Sequence, residues 1–291
     1  MGNLPLMLGG VTVCNVDLKN YSTVGVGCSA NAVFPKNQNE LVSVIKDITL
    51  KNIPFTVIGK GSNVVFSDNK VDGVIVFMQN INDVIKCDGY VRAYSGASLQ
   101  KLVRFYYQNN FGGMERLVGI PALVGGAIIM NAGAFGKNIG ETLLSVGIID
   151  NNKFIVLDKK DCGFCYRNSQ MPNNAVVLYA DFGYTFNENA KAQTLEFLNR
   201  RIQKQPKGKS FGSTFKNPNG LFAGELIDKA GLKGYRMGGA KVSEKHANFI
   251  INDGTATASD IKLLIKYIKE KVYGLFGVLL EEEVRFIGEF N

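Results

Sequence analysis

Between residues 39 and 50 the apolar side chains fall at Leu41, Val44, Ile45 and Ile48. That is the three- and four-residue spacing of one helix face, so the pattern predicts an amphipathic helix. Residues 32–35 read as a strand end, and 55–58, 74–77 and 91–95 are apolar runs of strand length. A second amphipathic helix is expected over 98–109, closed by Gly112-Gly113. Strand, helix and strand in succession predict an α+β or α/β domain.

Residues 117–140 obey neither period. They are almost uncharged and crowded with Gly and Ala, so they read as neither an ordinary strand nor an ordinary helix. One reading is buried core; the other is main chain laid closely along a ligand, because small residues let N–H groups reach phosphate or ring atoms. Strands resume over 145–149, 153–157 and 175–186, with Asn151-Asn152 as a hairpin turn. A basic amphipathic helix over 190–204 is broken at Gln205-Pro206-Lys207-Gly208-Lys209, which divides the chain into 1–190 and 191–291. The second part reads as a small α+β unit: helix 222–230, Gly-rich turn 231–239, strand 248–252, helix 257–273 and a final strand near 278–287.

Composition narrows the function. The 291 residues are 46% hydrophobic, enough for a sizeable core, and their formal charge of +8 allows either nucleic acid or small phosphate-bearing ligands. The lysines of 262–271 alternate with Ile261, Leu263, Leu264, Ile265 and Ile268, the wet face of a helix rather than a binding stripe. A single histidine, His246, excludes a His-rich zinc site, and no metal site is expected. Five cysteines, an odd number, argue against a disulfide framework and for the cytoplasm. The apolar stretch from Leu4 to Val13 is too short for a bilayer and lacks a signal peptide's basic start.

Several short motifs could carry chemistry, each with a plainer alternative. Gly59-Lys60-Gly61-Ser62-Asn63 follows a strand and could cradle a pyrophosphate or be a tight turn. Cys162 and Cys165 have thiol-pair spacing, but with no second pair or nearby histidine the spacing reads as coincidence. Tyr166-Arg167-Asn168-Ser169 offers a guanidinium fork for an anion, or an ordinary surface turn. Gly212-Ser213-Thr214-Phe215-Lys216-Asn217-Pro218 presents hydroxyls, an amine and an amide, with no base to make Ser213 a nucleophile. In Glu281-Glu282-Glu283, strand alternation would put the first and third on one face; such a run is usually a solvated edge.

The order of these motifs is more specific than any one of them. Together with Asn20-Tyr21-Ser22-Thr23, Gly119-Ile120-Pro121, Val124-Gly125-Gly126-Ala127, Met130-Asn131-Ala132-Gly133-Ala134 and Gly238-Gly239-Ala240, they make the chain, from about Asn20 to Gly288, resemble the UDP-N-acetylenolpyruvoylglucosamine reductase family. The resemblance implies an α+β protein: a two-part FAD-binding domain of the vanillyl-alcohol-oxidase type (lobes of about 1–75 and 76–190) and a C-terminal substrate-binding domain over 191–291. It implies that NADPH reduces FAD, and that hydride from flavin N5 then reaches C3 of the enolpyruvyl ether of UDP-N-acetylglucosamine. The product is UDP-N-acetylmuramate, for peptidoglycan.

By resemblance, Ser213 protonates C2, while Arg167 and Glu283 hold the developing enediolate, Glu283 sharing a proton with it. Lys216 is a helper for Ser213 by proximity alone. Tyr21, Gly59, Gly61, Ser62, Asn63, Gly119, Ile120, Pro121, Gly125, Gly126, Asn131, Ala132, Gly133 and Ala134 match flavin-binding positions. Tyr166, Lys204 and Asn217 match contacts to the sugar nucleotide. His246 falls at a position that is often polar near the substrate, although a surface histidine is the plainer expectation. The short interval between Ser169 and Ser213 matches the shorter family type, without an inserted tyrosine loop. Lys60, Cys28 and Ala122 depart from the family pattern and are tolerable where the backbone avoids positive φ. The resemblance also implies a monomer that acts on small molecules and binds neither nucleic acid nor membrane. The rival readings are another flavoenzyme of the superfamily and a basic nucleic-acid-binding protein.

Overall fold

The computed structural model describes residues 6–290. They form two compact units that interleave along the chain. One takes the residues up to Cys14, Asn31–Lys60 and Gly73–Arg201; the other takes Asn15–Ala30, Gly61–Asp72 and the chain from Ile202 onward. A single cut at 190–191 does not describe these units, because two early segments pack with the last third of the chain.

The first unit holds two apolar cores. In one, the strand Val74–Phe77 lies between Phe55–Ile58 and the Asn31–Val33 part of Ser29–Val33, all parallel. All four residues of that central strand are buried, as parallel strands demand. The helix Gln38–Leu50 connects the two strands that flank Val74–Phe77. It buries Leu41, Val44, Ile45 and Ile48, the predicted face, and Asn37 caps it by accepting the Glu40 N–H at 3.0 Å.

The other core lies under an antiparallel sheet in the order Lys153–Asp158, Leu143–Asp150, Val176–Phe182, Val91–Tyr94, Val84–Lys86. Asn151 and Asn152 turn the first hairpin with φ of 46° and 61°, a conformation asparagine tolerates, as the sequence predicts. Arg92 and Asp181, paired across neighbouring strands, make a two-pronged ion pair at 2.7 and 2.8 Å.

Residues 117–140 depart from expectation, because they contain a true helix, Val124–Ile129. Its first N–H groups go to Ala97 O (2.8 Å) and Ser95 O (2.9 Å), so tertiary contact holds a turn whose sequence has little helical signal.

In the second unit, the helix Ala258–Phe276 buries Ile261, Leu264, Ile265, Ile268 and Val272. A Thr257–Asp260 capping box starts it and Gly277, at φ 67°, ends it. The antiparallel strands Arg236–Met237, Ala240–Val242 and Ile250–Asn252 accompany it, the first inside what the sequence reads as a turn. The final strand is shorter than predicted: Arg285–Ile287, paired in parallel with Val64–Phe66. Of the early stretch from Leu4 to Val13, Leu4 and Pro5 lie outside the described residues. Among the described residues no helix is long and apolar enough to cross a membrane, and no cluster of His, Cys, Asp or Glu could hold a metal.

Candidate active site

In the second unit, four motifs far apart in sequence are hydrogen-bonded together. The Thr23 N–H donates to Gly61 O at 3.0 Å, and its hydroxyl donates to Ser210 O at 2.6 Å. Gly61 has to be glycine: its φ is +67°, and a Cβ there would lie 1.9 Å from Tyr21 O. Asn63 donates its side-chain amide to Glu283 O at 3.0 Å and accepts the Arg285 N–H on its own carbonyl at 3.0 Å.

Glu283 in turn donates its N–H to Thr214 O at 2.8 Å, and Phe215 stands opposite Glu282 in antiparallel register. Ser213 and Glu283 therefore lie on adjacent hydrogen-bonded segments, one register step apart. On the other side of the serine segment, Thr214 donates to Asn248 O at 2.8 Å. The buried Asn248 amide brackets both polar groups of Phe215, at 2.9 and 2.8 Å. Ser213 is thus carried on a short extended segment bridged from both edges.

Three side chains assigned from the sequence have structural duties here. Lys216 is ion-paired with Glu281, and Lys269 with Glu282 at 2.8 Å, which tethers the two carboxylates before Glu283. Asn217 accepts the Ala223 N–H at 3.1 Å and so caps the helix Ala223–Lys229. His246 is half-buried rather than a surface histidine. Its Nδ1 accepts the Asn248 N–H at 3.3 Å, its ring edges onto Phe249, and burial, then Lys233, holds its pKa below the usual value. Lys204 is exposed at the last residue of the helix Ala190–Lys204.

In the first unit, the centre is a tight turn. Cys165 and Asn168 exchange main-chain hydrogen bonds at 3.0 and 3.3 Å, leaving Tyr166 and Arg167 at its tip. Arg167 takes φ 57°, a left-handed conformation rare for arginine. The turn is pinned twice to the end of Val124–Ile129: Asn131 donates to Cys165 O at 2.9 Å, and the Ser169 hydroxyl to Ile129 O at 2.9 Å. The second Asn131 side-chain atom, Oδ1, accepts the Gly140 N–H at 3.2 Å. Tyr166 is exposed, its ring 5.2 Å from the Arg167 guanidinium carbon.

Arg201 escapes the sequence reading, which treats 190–204 as a basic amphipathic helix and singles out only Lys204. Its Nε donates to Val118 O at 2.9 Å, and a Cβ on Gly119 would come within 2.7 Å of its Cδ. Burial and then the charge of Arg167 push its pKa down, so two guanidinium groups share one half-buried region. That concentrates positive charge where an anion can be held.

Cys162 is buried with its thiol pushed up to about 11 by burial, while Cys165 is exposed. A thiolate pair is not what this spacing provides.

The residues present fit a flavin nucleotide. In the first unit, no acceptor among the described residues takes the Gly126 N–H, and the buried Ser95 hydroxyl has no partner; within the second, the same holds for the N–H groups of Gly61 and Ser62 and for the buried Ser22 hydroxyl. A Cβ on Gly126 would meet nothing within 4 Å, so its backbone faces open space. Gly59 ends the strand Phe55–Ile58, and the loop of Gly119, Ile120 and Pro121 is tied by Gln100 donating to Ile120 O at 3.0 Å. Ala132 accepts the Ile139 N–H at 2.9 Å, and Gly133–Ala134 pairs with Lys137–Asn138. None of Lys60, Cys28 and Ala122 has positive φ, which meets the condition for their departures.

Comparison with known proteins agrees with this arrangement. Residues 29–153 match the FAD binding domain family, and residues 203–287 match the C-terminal domain of UDP-N-acetylenolpyruvoylglucosamine reductase. The reductase of Caldicellulosiruptor saccharolyticus is 40% identical over 282 residues, 94% of this chain and 91% of that protein. The chain belongs to the UDP-N-acetylenolpyruvoylglucosamine reductase family. A Streptococcus pneumoniae reductase is 41% identical over 94% of this chain and 92% of its own length. The crystal structure of the Thermus caldophilus reductase superimposes with a TM-score of 0.83 at 33% identity, covering 95% of this chain and 99% of that one. The reductase family fold, an FAD-binding part followed by a C-terminal α+β part, is therefore the fold of this chain.

Proposed function

We propose that this chain is the NADPH-dependent, FAD-containing enzyme that reduces the enolpyruvyl ether of UDP-N-acetylglucosamine to UDP-N-acetylmuramate, a step of peptidoglycan synthesis. The observation that supports the reading is the pairing of the Ser213 and Glu283 segments, which brings a hydroxyl-bearing and a carboxyl-bearing residue onto neighbouring hydrogen-bonded segments of one unit. FAD, when bound, supplies the hydride that C3 of the vinyl group receives, drawn in turn from NADPH. The reaction then needs a proton at C2 and a counter-charge for the carboxylate on which the electrons collect.

Ser213 donates that proton from its hydroxyl, so the chemistry requires no histidine. Arg167 lies across the substrate carboxylate, where its charge matters more as negative charge builds, and Glu283 shares a proton with the same group. Tyr166, Lys204 and Asn217 contact the sugar nucleotide. Gly61, Ser62 and Gly126 offer N–H groups to the pyrophosphate of FAD. The positive balance of the chain suits three phosphate-bearing small molecules, and the enzyme acts as a monomer in the cytoplasm.

Stopped-flow absorbance on the yellow holoenzyme tests this. In Ser213→Ala, flavin reduction by NADPH is expected to stay near normal, while reoxidation by the enolpyruvyl substrate slows by orders of magnitude. A colourless protein that FAD does not reconstitute, or equal loss in both half-reactions, would overturn the reading.

A further inference from the structure

We propose that Asn63 is a positioning residue for Glu283, tying the Gly59–Asn63 loop to the carboxyl that serves the reduction. The inference rests on the role given to Glu283 above.

The main chain on both sides of Glu283 is fixed. Its N–H goes to Thr214 O at 2.8 Å, on the segment that carries Ser213. Its C=O receives the Asn63 amide at 3.0 Å, on the loop that reads as a phosphate cradle. Two residues on, the Arg285 N–H returns to the Asn63 carbonyl at 3.0 Å, so Asn63 brackets the stretch from Glu283 to Arg285. Val284 between them is buried, and Arg285 continues in register opposite Val64. With both flanking peptide planes held, the Glu283 side chain leaves a Cα that cannot shift unless one of these bonds breaks.

This arrangement gives the Asn63 side chain a different duty from cofactor contact. An amide nitrogen suits it because the partner is a carbonyl: an aspartate of the same shape would present an oxygen to that carbonyl and repel it. The loop thereby becomes a mechanical link. Whatever orders Gly61 and Ser62 around a pyrophosphate also sets the height of the carboxyl on the neighbouring segment, through Asn63.

The test uses the holoenzyme and the variants Asn63→Ala, Asn63→Asp and Glu283→Gln. Bound flavin is measured by absorbance, the two half-reactions by stopped flow, and the exchange of backbone amides over 281–286 by mass spectrometry. Asn63→Ala is expected to keep its flavin and to be reduced by NADPH within a few-fold of wild type. Reoxidation by the enolpyruvyl substrate should fall about 100-fold, the scale of an ångström of misplacement. Its pH profile should shift, and amides 281–286 should exchange faster. Asn63→Asp should do the same, and it covers the case in which the alanine variant does not fold. Loss of flavin, with normal reoxidation in the molecules that retain it, would make Asn63 a cofactor ligand and overturn the inference. If Glu283→Gln itself reoxidises normally, the catalytic reading of Glu283 fails instead, which the Asn63 variants alone would not reveal.

Discussion

Asn131 reaches across the fold to donate its amide to Cys165 O at 2.9 Å, while its side-chain oxygen accepts the Gly140 N–H. Asn131 is buried, so removing its side chain leaves a carbonyl and an amide without their partner. Asn131→Ala is expected to cost about 2–3 kcal/mol, measured by urea denaturation. It should also raise amide exchange over 165–168, since Ser169 then pins the turn alone. Unchanged stability would mean that water replaces both bonds.

Arg167 combines a functional charge with an awkward backbone. At φ 57° a residue with a Cβ is strained and glycine is not. Arg167→Gly should therefore be more stable than Arg167→Ala by about 1 kcal/mol. Both should lose substrate affinity and the second half-reaction alike. Equal melting temperatures would show that the turn, not the residue, carries the strain.

Thr214, beside the proposed proton donor, buries a hydroxyl with no partner among the described residues. Valine has the same shape without that group. We expect Thr214→Val to stabilise the protein by about 1 kcal/mol in chemical denaturation, since an unsatisfied buried hydroxyl costs that much or more. A destabilised variant would reveal that the hydroxyl is bonded.

His246 makes stability depend on pH in a definite sense. Burial first, and Lys233 after it, lowers its folded pKa, so the unfolded chain binds the extra proton more readily. The resulting stability is fully present above the unfolded value of about 6.5 and is lost as pH falls through the folded one. The denaturation midpoint of wild type should thus fall relative to that of His246→Gln as pH drops below about 6.5. Parallel curves would refute a depressed pKa.

Local chemistry made much of this legible in advance. The helix face of Leu41, Val44, Ile45 and Ile48 and the Asn151-Asn152 hairpin follow from spacing and turn preference. The helix Val124–Ile129 does not, because glycines hide its period and its first N–H groups are satisfied by Ser95 and Ala97. Arg201 was lost among neighbouring basic residues, since only tertiary packing separates it from a solvated arginine. Motif order named Ser213, Arg167 and Glu283. It could not show that Asn63 grips Glu283, because that partnership spans most of the chain and leaves no local pattern.

The pairing of Val64–Phe66 with Arg285–Ile287 bears on how the chain is made. On the ribosome, residues 61–72 emerge early, yet their partner strand, 285–287, emerges far later. The first unit, closed by Arg201, can gather its two cores during synthesis, whereas the second waits until residues 285–287 have been made. Its long loop closure makes that the slow event of folding. A chain stopped a few residues short of Ile287 would have serine and carboxyl segments that lack their last clasp.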